Sequence, residues 1–296
     1  MSFESMQSII EECKRSGRDF AQVVIDSEIK NTRSSYAEVI CRMSSMWDAM
    51  TSAIDNYDDT LRSRSNLSGG DGGLFAKYAA GGRTLCGSFA SRVITYALKM
   101  AESNACMKRI VACPTAGSCG VLPSVLIPLY EDRTFTKEEI IRSLFVAAGI
   151  GQVIANRASI AGAEGGCQAE VGSAAAMASG ALVYLHHGSA EQIGAGTGYC
   201  LQNLMGLVCD PVAGLVEVPC VKRNVIGALD ALSAADMALA GIIPKIPCDE
   251  VIDAMKKVGD SLSRELKETG QGGVADTPTA RAFAHNLSAG DKTNLV

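Results

Sequence analysis

The chain has 296 residues, with 27 basic against 32 acidic side chains and a net charge of -5, so it lacks the cationic surplus that marks a nucleic-acid binder. Hydrophobic residues at 47% and charged residues at 20% fit a globular protein with a sizeable core, and the longest uncharged apolar runs, such as 174–185, are too short to span a bilayer. Eleven cysteines behind an acidic N-terminal stretch that does not read as an export signal imply reduced thiols and a cytoplasmic location.

Residues 1–60 carry helix-type spacing, clearest at 36–50, where Val39, Ile40, Met43, Met46 and Trp47 recur at intervals of three and four. This predicts an N-terminal helical layer over 1–60 ahead of a helical catalytic domain over 61–296, the two either separate or one continuous domain. The glycine-rich stretch SNLSGGDGGLFAKYAAGG at 65–82 reads as a loop, either a plain turn between helices or a ligand-contacting segment. It lacks the Gly-Lys-Ser/Thr of a phosphate loop.

Thr136 with Glu139, and Ser189 with Gln192, form capping boxes that predict two helix starts. Pro247 precedes an acidic first turn and a run that predicts a helix over 248–270 ending at Gly270. Few stretches alternate as strands do, and aromatic residues are only 5%. The expected fold class is therefore mainly α, with close-packed helices and Gly/Pro-rich loops around the site.

Three segments could do chemistry. Each sets a cysteine beside or near glycine or proline: Gly165 and Gly166 before Cys167, Pro211 two residues after Cys209, and Pro219 directly before Cys220. Helix starts near Cys167 and Cys220 favour the thiolate. Three thiolates aimed at one centre would make a metal site. The competing reading is packing, because free cysteine is among the most buried residue types; Cys13, Cys41, Cys86, Cys106 and Cys200 are assigned to it. No C-x-x-C pair occurs, so neither a zinc ribbon nor a ferredoxin ligand run is present.

The segments GCQAEVG at 166–172, GLVCDPVAGLVEVPCVKRN at 206–224, CPTAGSCGVLP at 113–123 and ETGQGG at 268–273 together resemble the alpha chain of the iron-sulfur-dependent L-serine dehydratases, over about residues 60–273. The resemblance implies a 4Fe-4S cluster held by Cys167, Cys209 and Cys220. A cube held by three thiolates keeps one iron open. On this reading that iron acts as a Lewis acid on the L-serine hydroxyl while a base removes the α proton, and the product hydrolyses to pyruvate and ammonia. The implied setting is amino-acid catabolism and gluconeogenesis.

The Pro-Thr-led turn offers Thr115, Gly117 and Ser118 to a substrate carboxylate, and Asn156 and Ser159 are further substrate candidates by position; ordinary turn and cap roles compete for all of them. Arg223, three residues past Cys220, falls one helical turn beyond that cysteine if a helix runs through both, while the competing reading is the usual one for its type, solvated or paired at the surface. His186, His187 and His285 read as structural, and no base is named. Single-chain relatives carry an additional Ser- and His-containing domain and a terminal cysteine, so the resemblance implies a separate beta chain, with the protection of the open iron unassigned. No lysine sits in a pyridoxal phosphate context. The rival readings are another cluster-dependent lyase, such as a cysteine desulfidase, and a non-enzymatic metal-bearing structural or sensor subunit.

Overall fold

The computed structural model describes residues 3–289. Among them the helices follow in the order α1 (Met6–Ser16), α2 (Phe20–Thr32), α3 (Tyr36–Asp55), α4 (Asp71–Ala80), α5 (Gly87–Ala105), α6 (Val121–Glu131), α7 (Lys137–Arg157), α8 (Gly162–Gly165), α9 (Ser173–Leu185), α10 (Ala190–Asn203), α11 (Cys220–Leu239), α12 (Cys248–Ser261) and α13 (Pro278–Ser288). No strand forms among the described residues; extended pairing is limited to one parallel bridge between Cys209 and Lys267. The mainly-α expectation is met. None of the described helices is long and apolar enough to cross a membrane.

Helix starts follow local chemistry. Ser5, Asp19 and Ser35 each accept a first-turn amide at the heads of α1, α2 and α3, satisfying donors that a helix leaves unpaired. The two capping boxes read from sequence are both present, Thr136–Glu139 on α7 and Ser189–Gln192 on α10. At the other end of α1, Gly17 takes the left-handed conformation with φ 68°, where a side chain would be strained.

The middle of the fold is α9, whose residues are all buried except Tyr184. It packs against α6, α7, α10 and α11. A helix enclosed on all sides must be apolar all round, which explains the run of alanines and Gly180. Gly180 lets α7 approach: a Cβ there would lie 2.1 Å from Ile150 Cδ1. The N-terminal helices share this core, with Met6, Ile9, Phe20, Ile25 and Trp47 buried in one cluster with Phe145, Ile150 and Val183. Each such side chain contributes about 1.5–3 kcal/mol on burial. Trp47 stands edge-on to Tyr130, with centroids 5.6 Å apart.

Two expectations need correction. The 65–82 stretch is not loop throughout, because 71–80 forms α4. Its head is held by buried Glu102, whose carboxylate accepts the amides of Asp71 (2.8 Å) and Gly72 (3.0 Å) and the Tyr57 hydroxyl (2.6 Å). The predicted helix over 248–270 stops at Ser261. Leu262 turns extended, and the chain departs so that Cys209 N can donate to Leu266 O and Glu268 N to Cys209 O; tertiary pairing overrides local helix propensity. Cysteine packing also differs. Cys13 and Cys200 are buried, but Cys106 is only partly so, and Cys41 and Cys86 are exposed.

Candidate active site

Cys167, Cys209 and Cys220 reach the site by three local devices. Gly166 before Cys167 has φ 76°, and a Cβ there would lie 2.9 Å from Leu207 O, so only glycine allows the chain to pass the 206–208 segment. Cys167 then heads a π-helical turn over Gln168–Gly172, a distortion frequent at functional sites. Cys209 is gripped on both sides of its peptide, by Leu266 O at 2.9 Å and Glu268 N at 2.8 Å. Cys220 is the first residue of α11, directly after Pro219.

The three thiols are free and buried, at 2%, 2% and 7% exposure. Each lies within electrostatic range of another: the Cys209 thiol is opposed by charge on Cys167 and Cys220, and the Cys220 thiol by charge on Cys167. Burial dominates their ionisation. It pushes Cys167 up to about 11 and Cys220 up to about 12, and raises Cys209 strongly. Thiols so placed are neutral without a metal and lose their protons when they become ligands.

Among the described residues no three His, Cys, Asp or Glu side chains converge tightly enough for a single metal ion. Thiolates bound to different irons of one cluster stand further apart than thiolates bound to one ion. The donor set, three free buried thiols facing one region with a cation beside them, fits a thiolate-held cluster.

That cation is Arg223, which is not at the surface as its residue type suggested. Its side chain is 15% exposed and pairs with Asp210, itself 3% exposed, at 2.8 Å. Nη1 donates to Val208 O at 2.7 Å, and the guanidinium charge opposes the rise that burial imposes on the Cys167 thiol. Asp210 in turn accepts the Val274 amide at 2.7 Å. Gln168 ties the same region to α12, accepting Gly206 N at 2.9 Å and donating to Met255 O at 3.0 Å.

The Thr115–Ser118 turn is brought to the cysteines. Thr115 and Ser118 cap a short 3-10 turn reciprocally, their hydroxyls 3.1 Å apart. Glu170 lies between this turn and the thiols: a Cβ built on Gly117 would stand 3.6 Å from its Oε1 and 3.8 Å from Thr115 Oγ1, and Cys209 Sγ lies 3.7 Å from its Oε2. Burial raises the Glu170 pKa above the usual carboxylate range. Sequence reasoning missed this residue, whose only signal was its place in GCQAEVG.

Asn156 and Ser159 are engaged elsewhere. The exposed Asn156 donates its amide to Phe3 O at 2.9 Å, holding the N-terminal segment. Ser159 donates to Glu164 at 2.6 Å and accepts Ala161 N at 3.1 Å, closing its own turn beside a cavity of about 320 Å³ that Gln168 and Lys267 also line. His186 and His187 lie at the C-terminal end of α9, and His285 in the last turn of α13.

The described residues form a mainly helical chain that buries three free thiols, Cys167, Cys209 and Cys220. The family model for the serine dehydratase alpha chain matches residues 15–275. A probable L-serine dehydratase alpha chain of Bacillus subtilis (strain 168) is 44% identical, covering 97% of this chain and 96% of the relative. The L-serine dehydratase alpha chain of Peptoniphilus asaccharolyticus is 39% identical, covering 96% and 98%. An L-serine dehydratase of Helicobacter pylori (strain ATCC 700392 / 26695) is 32% identical over 93% of this chain, but only 62% of the relative is covered. The chain belongs to the serine dehydratase alpha-chain family.

Proposed function

We propose that this chain is the cluster-bearing subunit of a cytoplasmic L-serine ammonia-lyase, which eliminates water from L-serine to yield pyruvate and ammonia. The observation that carries the reading is the meeting of Cys167, Cys209 and Cys220, buried and unpaired, beside a hydroxyl-rich turn. The three cysteines hold a 4Fe-4S cluster, and the names of the relatives supply the substrate. When bound, a cluster with three thiolate ligands supplies Lewis acidity at its remaining iron.

The chain's own residues bind and orient. The hydroxyls of Thr115 and Ser118, with the amides of their turn, receive the substrate carboxylate. Glu170 stands between this turn and Cys209, its carboxylate facing Gly117 on one side and the Cys209 sulfur on the other. A separate beta chain completes the site, a reading supported by the naming of the relatives as alpha chains.

The test is pyruvate formation from L-serine after anaerobic loading with iron and sulfide, with and without a candidate beta chain. Cys209→Ser is expected to abolish both cluster absorbance and turnover. Sulfide release from L-cysteine in preference to pyruvate from L-serine points to a desulfidase. Zinc without acid-labile sulfide in anaerobically purified protein points to a structural subunit.

A further inference from the structure

Arg223 touches the surroundings of every proposed ligand. It lies in the first turn of α11, its own amide bonded to Pro219 O at 3.2 Å, three residues beyond Cys220. Its guanidinium reaches Val208 O and Asp210, the two neighbours of Cys209. Its charge also lies within electrostatic range of the Cys167 thiol. One planar group with several fixed donors can make these contacts together, which a lysine cannot.

Burial makes the charge matter. At 15% and 3% side-chain exposure, Arg223 and Asp210 are little screened by solvent ions. A buried arginine paired only for support would need just its carboxylate. Here the cation is shared between that carboxylate and Val208 O, on the two sides of Cys209, with Asp210 anchored through Val274 on its other oxygen.

We propose that Arg223 is a positioning residue that sets the electronic character of the cluster by fixing a buried positive charge beside the ligand thiolates, through its bonds to both neighbours of Cys209, with Asp210 as the counterweight that limits this effect. The inference rests on the function proposed above. A positive charge beside the ligand sulfurs draws electron density from the irons, which makes the cluster easier to reduce and its open iron a stronger Lewis acid.

The test uses the full chain loaded anaerobically with iron and sulfide, and reads the iron and sulfide content and the midpoint potential of the reduced cluster by electron paramagnetic resonance. Arg223→Gln is expected to shift the potential negative and Asp210→Asn to shift it positive, with Arg223→Lys closer to the wild type than Arg223→Gln. Unchanged potentials, or shifts of the same sign in the Gln and Asn variants, overturn the proposal. If Arg223→Gln does not fold, Asp210→Asn decides by itself: a positive shift supports the role, and none or a negative one refutes it. A wild-type chain that takes up no cluster removes the proposed function itself and this inference with it. Normal loading without the opposed shifts removes only the role of Arg223.

Discussion

Asn224 and Gly117 are joined by a 2.8 Å hydrogen bond that ties the candidate substrate turn to the helix carrying Cys220. The same amide donates to Cys220 O at 3.0 Å, and its oxygen accepts Gly120 N at 2.8 Å. With Asn224 fully buried, no water replaces a lost partner. Asn224→Leu is expected to destabilise the protein by about 1–3 kcal/mol for each polar group left unpaired, measured by urea denaturation. Asn224→Asp is expected to retain the Gly120 bond but to set a carboxylate oxygen against two carbonyls, raising the KM for L-serine more than it lowers kcat.

Gly162 lies against the thiol centre. A Cβ there would stand 2.6 Å from Glu170 Oε2 and 2.9 Å from Cys209 Sγ. The carboxylate end can swing aside, but the sulfur has little freedom because the Cys209 peptide is bonded on both sides. Gly162→Ala is expected to lower iron and sulfide content after anaerobic loading, with far-ultraviolet circular dichroism unchanged. Full loading with full activity would contradict the tight contact.

The approach of α7 to α9 through Gly180 predicts a contrast between two glycines. Alanine gains about 0.5–1 kcal/mol over glycine within a helix, whereas overpacking a core costs about 1–3 kcal/mol. At Gly180 the Cβ would meet Ile150 Cδ1 at 2.1 Å; at Gly194 the nearest atom, Ile10 Cδ1, is 3.4 Å away. Gly180→Ala is therefore expected to lower the unfolding midpoint and Gly194→Ala to leave it unchanged or raise it.

The Thr136–Glu139 capping box predicts a pH dependence. The Thr136 amide, and then its hydroxyl, hold the Glu139 pKa below the usual glutamate value. A carboxylate depressed in the folded state adds stability above its unfolded pKa, and that stability disappears as pH falls through the folded value. The stability difference between wild type and Glu139→Gln is thus expected to be largest near neutral pH and to vanish under strong acid. Thr136→Ala is expected to cost about 1 kcal/mol at neutral pH, read by urea denaturation.

Local chemistry was legible where a rule needs only a few adjacent residues. Thr136 with Glu139 and Ser189 with Gln192 marked real helix starts, because a cap satisfies backbone amides within its own turn. The expectation failed at 262–270, where the helix-prone run yields to pairing with Cys209. That partner lies more than fifty positions earlier, outside any local window.

The cysteines show the same division. Residue pattern and resemblance selected Cys167, Cys209 and Cys220 as candidates, and folding buries all three in one region. Their supporting residues Glu170, Arg223 and Asn224 stand inside the same motifs, but the sequence did not show what each would touch.

By itself the sequence determined the helical class and two capping boxes, since these depend on periodicity and nearby hydrogen bonds, while the candidate sulfur donors were singled out by resemblance. Only the tertiary structure decided that Arg223 and Asp210 form a buried pair, that Asn224 joins two distant segments, and that Asn156 serves Phe3. The physical reason is that the environment of a charged or polar group is set by whatever long-range packing brings against it, and burial converts an ordinary surface residue type into a fixed partner.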